Sequence, residues 1–246
     1  GKSKEVLSIQ LPIELKVLDT WNLPWGPGVD GVFLPGDPLR RIERGEHNQV
    51  PMIIGSNADE TEVFIPPAVF GCGGYDTWLK AALPNQADEV AEQYPCEDFS
   101  SPRNALVNAS TDLLFTCPAR RASRLFSVNQ TEPVFRYHYR YRRADPVLRG
   151  LGAYHASEIA MVFGTYDRVA YTPPPHESDL SAVMRFAWTN FARTGDPIMQ
   201  GWEPYDSKAD NVLVLNANAD TGLDIYAEEG FDRAECDYWE PSLPQP

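Results

Sequence analysis

The sequence predicts an α/β fold, in which helices pack on an open sheet, and three patterns carry that expectation. The run Pro51-Met52-Ile53-Ile54-Gly55 is short, apolar and bounded by breakers, as a buried strand is. Val134 to Arg142 alternates, with Phe135, Tyr137, Tyr139 and Tyr141 on one face and Arg136, His138, Arg140 and Arg142 on the other. That period of two belongs to a strand. Residues 75–94, 104–128 and 179–191 have instead the spacing of helices.

Taken in order, Trp21 to Gly28 and Val29 to Pro35 hold Gly and Pro at a density that excludes a long helix. The polar stretch Ser56 to Glu62 begins where the first strand stops, a position from which side chains line sites in open α/β sheets. Pro84 splits the helical stretch 75–94, and Cys117-Pro118 interrupts the next, which is rich in Arg at 120, 121 and 124. The arginines of the alternating strand are expected to meet acidic neighbours. A loop with Gly150 and Gly152 leads to Ala153-Tyr154-His155-Ala156-Ser157-Glu158-Ile159 and then Met161-Val162-Phe163-Gly164. Tyr171 to Pro175 is a proline-rich connector. Asp179 is the expected N-cap of a helix that runs to Phe191, with Gly195 and Pro197 ending it. Residues 211–226 read as a strand, a polar turn and a return. Their segment Asn216 to Asp224 superficially resembles a calcium loop, but its glycine is one place late and Ala227 stands where a bidentate Glu is needed, so a hairpin turn is expected. No repeat and no linker divides the chain, which is expected to form part of one domain.

Hydrophobic residues make up 43% of the 246, enough for a core. No run approaches the roughly 20 apolar residues that cross a bilayer, so no membrane span is expected. The 21 Lys and Arg against 35 Asp and Glu give −14, a charge that repels phosphate backbones and excludes nucleic acid as a partner. Such a field could steer a cation, but a well-solvated surface is the preferred reading. Cys72, Cys96, Cys117 and Cys236 fit no CxxC pair and no zinc spacing, so no metal is expected. The even cysteine count and the sequons at Asn108 and Asn129 point to an oxidising compartment: secreted or extracellular, or periplasmic in a bacterium. Gly1 begins no charged and apolar signal segment, so an export signal is expected to lie upstream or to have been removed.

His155 follows a strong strand on a glycine-containing loop, and its unperturbed pKa near neutrality suits a general base. Glu60, flanked by Asp59 and Glu62, follows the other strand. Each alone is ordinary. Strand, acid loop, strand, histidine loop is nevertheless the order in which a nucleophile–acid–histidine hydrolase delivers its last two members. Here the chain resembles the type-B carboxylesterases and cholinesterases. The resemblance rests on Val29-Asp30-Gly31 with Phe33-Leu34-Pro35, Val50-Pro51 with Gly55-Ser56-Asn57 and Asp59-Glu60, His155-Ala156-Ser157-Glu158-Ile159 with Val162-Phe163-Gly164, and Trp188 to Pro197. It extends from about residue 29 to Trp239.

The resemblance implies the α/β-hydrolase fold, with residues 1–246 as the carboxy-terminal half of one domain: part of the central mixed sheet with flanking helices. It assigns Glu60 as the triad acid, His155 as the general base and Glu158 as a supporting acid beside them; for Glu158 a salt bridge or helix start is an equal alternative. His47, His138 and His176 match no catalytic motif and are expected to be structural. It also implies a Cys117–Cys236 disulfide, which leaves Cys72 and Cys96 to each other. The chain contains neither Gly-x-Ser-x-Gly nor a Gly-Gly-Gly turn. The serine and oxyanion donors are therefore expected on a companion amino-terminal chain, without which His155 has no nucleophile to activate. Phe64 matches an acyl-pocket aromatic, although core packing would also explain it. Val63 and Ser157 stand where cholinesterases often have aromatics, which weakens recognition of a quaternary ammonium. The expected substrate is a small carboxylic ester, hydrolysed without cofactor; a choline ester and a non-catalytic, cholinesterase-like adhesion domain are the alternatives.

Overall fold

The computed structural model describes residues 28–65, 71–166 and 171–243, so the turn signals of residues 21–27 lie outside the described residues. Its sheet has four strands in the order β1 (Met52–Asn57), β2 (Val134–Tyr139), β3 (Val212–Asn218) and β4 (Gly222–Glu228). β1 and β2 run parallel in register from Met52 opposite Val134 to Asn57 opposite Tyr139; β2 and β3 are also parallel, and β4 returns antiparallel. Parallel neighbours need long crossovers. Helix α1 (Pro38–Glu43) precedes the sheet, and α2 (Gly71–Ala82), α3 (Ala87–Gln93), α4 (Pro102–Thr111) and α5 (Cys117–Asn129) lie between β1 and β2. Next come α6 (Ile159–Phe163) and α7 (Pro175–Thr194) before β3, and α8 (Arg233–Trp239) after β4. The expected breaks at Pro84 and Cys117-Pro118 both occur.

Two expectations need correction. β1 was expected to be buried, yet Met52 to Gly55 are half-buried and only Ser56 and Asn57 are fully enclosed. Among the described residues β1 pairs on one edge only, so its apolar side chains are not covered on all sides. The helix expected from Asp179 begins a turn earlier, at Pro175. Proline's fixed φ suits a first helical position. Glu177, fully buried, then anchors that turn by accepting hydrogen bonds from the hydroxyls of Tyr141 and Tyr171 and the Ala144 N–H. Gly195, at φ +77°, ends the helix as expected.

β2 organises both faces of the sheet. Its aromatic face packs under α7, where Phe135 meets Phe191 and Tyr137 meets Trp188 edge-on, with Met184, Leu213 and Leu215 in the same core. Gly55 is required opposite, since a Cβ there would overlap the Tyr137 ring. On the other face Arg136 is buried 3.3 Å from Asp210. Asp210 also accepts from the Tyr205 hydroxyl and from Arg120, so the polar face does meet an acid. His138 lies against Phe231, and burial drives its pKa to about 3, leaving it neutral.

A second core gathers α2 to α5 and α8 around Tyr75, Leu79, Val90, Leu106 and Trp239. The Cys117–Cys236 disulfide lies within it, and Cys72–Cys96 reaches it through Cys96. The residues 216–224 form the β3–β4 hairpin, whose turn is closed by Asn218 Oδ1 accepting from the N–H groups of Asp220 and Thr221. Among the described residues no three His, Cys, Asp or Glu side chains could hold a metal ion, and no helix is long and apolar enough to cross a membrane.

Asp232, just before α8, yields a test of the electrostatics. Its φ of +48° is a left-handed conformation that Asn tolerates well. Burial, with Glu235 and Glu228 adding to it, pushes its carboxyl from an ordinary 3.8 up to about 6. Below that window the group is protonated in the folded and unfolded chain alike. As pH rises through it the unfolded chain ionises first, so stability falls until the folded group ionises too. At roughly 1.4 kcal/mol per pKa unit the loss reaches about 3 kcal/mol. Asp232→Asn is therefore expected to raise the melting temperature at about pH 7.5 and to change it little at about pH 3.5. Equal shifts at both would mean that ionisation plays no part.

Candidate active site

β1 delivers the acid loop. It ends in the buried pair Ser56 and Asn57, and a tight 3₁₀ turn, Glu60–Val63, follows at once. The histidine loop comes alongside through Asp59. The Asp59 N–H donates to the Ala153 carbonyl at 3.1 Å, and its Oδ2 accepts from the Ala153 N–H at 2.8 Å. Asp59 and Tyr154 thus form an isolated parallel bridge. Gly152, at φ +65°, lets the loops approach, since a Cβ there would overlap the Asp59 carboxylate. His155 then projects from a turn closed by the Ser157 N–H on the Tyr154 carbonyl at 3.0 Å. Its third residue, Ala156, is held at φ +67°, a conformation that costs a non-glycine residue roughly 1–2 kcal/mol.

Glu60 and His155, 95 positions apart, meet with Oε2 2.6 Å from Nδ1. The other carboxylate oxygen, Oε1, accepts from the Asn57 N–H at 2.8 Å. Burial raises the Glu60 pKa and nearby Glu158 adds to the rise, while the Asn57 N–H and His155 oppose it. With Glu60 ionised its carboxylate can only accept, an arrangement that puts the ring proton on Nδ1 and leaves Nε2 as the basic nitrogen. Glu60 is 7% exposed and the His155 side chain 47%, so the pair has a buried anchor and an open face.

Phe64 lies beside the imidazole at 5.6 Å between ring centres. Phe115 lies closer, at 5.3 Å, and the sequence reading missed it. It stands in a π turn, Asp112–Thr116, that joins α4 to α5, and such bulges often mark functional sites. In the sequence only its nearness to the Cys117-Pro118 interruption hinted at irregular backbone. Val63 precedes Phe64 on the same turn and is largely exposed. Glu158 accepts from Asn57 Nδ2 at 2.5 Å, and Ser157 is buried. Glu62 turns away and pairs with Arg103. The remaining histidines stay apart: His47 is hydrogen-bonded to Gln130, His138 lies in the second face of the sheet, and His176 is 3.2 Å from the Tyr141 hydroxyl.

Two crevices open nearby, one of about 690 Å³ reaching Asp59, Arg140, Arg142 and His176, and one of about 390 Å³ reaching Tyr94, Asp112, His138 and Asp232. Neither includes Glu60 or His155. A half-exposed imidazole backed by a buried carboxylate can accept a proton from a nucleophile and stabilise the resulting imidazolium.

Residues 2–239 match the profile of the carboxylesterase family. The chain is 28% identical over 247 residues to the crystal protein of Dictyostelium discoideum, covering 86% of this chain and 42% of that one. It is 28% identical over 206 residues to the para-nitrobenzyl esterase of Bacillus subtilis, covering 80% of this chain and 40% of that enzyme. A solved thermophilic pNB esterase superposes with a TM-score of 0.68 at 25% identity, covering 89% of this chain and 44% of that one. The chain thus spans less than half the length of the relatives it matches. With helices flanking a mixed sheet, its architecture is that of a partial α/β-hydrolase fold.

Proposed function

Because the chain belongs to the carboxylesterase family, we propose that residues 1–246 form the carboxy-terminal half of one α/β-hydrolase domain that hydrolyses carboxylic esters through an acyl-serine. The observation that carries this reading is the Glu60 Oε2 to His155 Nδ1 contact of 2.6 Å, with the opposite face of the ring open. The serine and the oxyanion donors are supplied by the amino-terminal half of that domain. The serine Oγ attacks the ester carbonyl as its proton passes to His155 Nε2. Glu60 holds the tautomer and stabilises the imidazolium. Collapse of the tetrahedral intermediate expels the alkoxide, which takes the proton from His155 and leaves the acyl-serine. Water then attacks the acyl-serine with His155 again as base, releasing the acid and restoring the serine.

Phe64 and Phe115 form an apolar wall beside the imidazole, suited to the uncharged part of a small ester. Neither Val63 nor Ser157 offers a ring to a quaternary ammonium, which favours general esters over choline esters. The two disulfides favour a secreted, oxidising setting, in which Asn108 and Asn129 would be glycan acceptors.

The test uses the complete assembly of both halves with p-nitrophenyl acetate and a fluorophosphonate probe. Ester turnover is expected, with the label on the amino-terminal half. Label on residues 1–246 would contradict the division of labour. An assembly that neither turns over nor takes label, but binds a protein ligand saturably, would be an adhesion domain instead.

A further inference from the structure

We infer that Asn57 is a positioning residue that couples the loop carrying His155 to the carboxylates of Glu60 and Glu158; the role it serves rests on the ester-hydrolase reading above. Asn57 is the last residue of β1, 1% exposed and opposite Tyr139 in the parallel ladder, so its backbone is fixed by the sheet. From that anchor it makes three contacts. Its backbone N–H donates to Glu60 Oε1 at 2.8 Å. Its Nδ2 donates to the Tyr154 carbonyl at 3.0 Å and to Glu158 Oε2 at 2.5 Å. Tyr154 is the residue before His155, and Glu158 follows the turn as the N-cap of α6.

The chemistry requires an amide at this position. A carbonyl and a carboxylate only accept, so the bridge needs two N–H donors on a short stem, and Asn supplies both from one atom. A flipped amide would set Oδ1 against two acceptors, so its orientation is determined. The arrangement has a cost, because Oδ1 is buried without a partner. The Asp59–Ala153 clasp holds the loop before His155, and the Asn57 amide adds a hold on either side of the ring, where His155 is half-exposed and Ala156 strains the turn. The titratable groups around Glu158 are Glu60, which carries His155, and the phenols of Tyr137 and Tyr139 from β2. None of these replaces the two donors.

Asn57→Asp in the complete assembly tests the coupling, because it replaces the two N–H donors with a carboxylate oxygen facing acceptors. At about pH 8 kcat for p-nitrophenyl acetate is expected to fall about 10- to 100-fold with KM nearly unchanged, the scale of a displaced catalytic group. Near pH 6 one proton shared between the two carboxyls restores a donor, so the deficit relative to wild type should shrink several-fold there. The double variant Asn57→Asp/Glu158→Gln sets a donor opposite the new carboxylate and is expected to recover several-fold of the loss at pH 8. Asn57→Ser, neutral and shorter, is expected to lower kcat without that pH dependence, and keeps the question answerable if the aspartate variant does not fold. The inference fails if Asn57→Ser retains full kcat, if the Asn57→Asp deficit is the same at both pH values, or if the double variant is no faster than Asn57→Asp. An assembly without esterase activity would defeat the proposed function, and the low-field proton resonance of His155 Nδ1–H then decides this inference alone. Its loss in Asn57→Asp and return in the double variant support the coupling; an unmoved resonance overturns it.

Discussion

His155→Ala in the complete assembly is expected to lower kcat for p-nitrophenyl acetate by about four to six powers of ten while leaving KM within a small factor. The size follows from the two jobs the ring performs in the proposed mechanism. Without it the serine must lose its proton to water, and the leaving alkoxide must find one there. The apolar wall of Phe64 and Phe115 stays in place, so ground-state binding is largely kept. Folding is also kept, because the side chain is 47% exposed and the cost is confined to the buried Glu60 oxygen left without its partner, about 1–3 kcal/mol. One local change accompanies the loss. Glu60 is buried, and His155 is among the groups that hold its pKa down, so its carboxyl is expected to titrate at higher pH in the variant. Steady-state kinetics alongside a thermal melt separates these effects. Unchanged turnover in a folded His155→Ala assembly would remove His155 from the mechanism.

The second large effect concerns stability. Cys117–Cys236 closes a loop across a sequence separation of 119, against 24 for Cys72–Cys96. In the loop-entropy account the two crosslinks contribute about 5 and about 3.5 kcal/mol. The long one also joins the start of α5 to α8 inside the second core, where Cys117 and Cys236 are 1% and 0% exposed. Replacing both with Ala removes the constraint and takes two buried sulfurs out of the core that holds Leu113 and Trp239. Melting is expected to fall by roughly 10–20 °C, on the scale of a domain of this size. Cys72→Ala/Cys96→Ala should cost clearly less, since Cys72 is exposed at the start of α2. A thermal melt of both pairs in the assembled protein checks the order. If the short crosslink proved the more important, loop length would not govern their contribution.

The elements are largely legible in the sequence. Alternation in 134–142, the breaker-bounded run at 51–55 and the interruptions at Pro84 and Pro118 all became strands and helix breaks where expected. The two misreadings have a common physical cause. The start of α7 was misjudged because Glu177 is buried by partners from Tyr141, Ala144 and Tyr171, none of which its own segment reveals apart from Tyr171. The burial of β1 was overestimated because a strand's apolar run does not say how many of its edges are paired.

The candidate site divides in the same way. Resemblance singled out Glu60 and His155, and their residue types alone state which could be acid and which base. Their meeting depends on the β1–β2 register and on the Asp59 to Ala153 clasp. Phe115 and the two-donor role of Asn57 were hidden for the same reason. Periodicity, breakers and side-chain chemistry are local properties, and the sequence by itself determined them: an α/β chain with an acid loop, a histidine loop and four cysteines. Which side chains lie within hydrogen-bonding distance across some hundred residues was decided only by the tertiary structure. Such distances follow from how the sheet aligns its strands and from what covers each face, and no window of neighbouring residues contains that information.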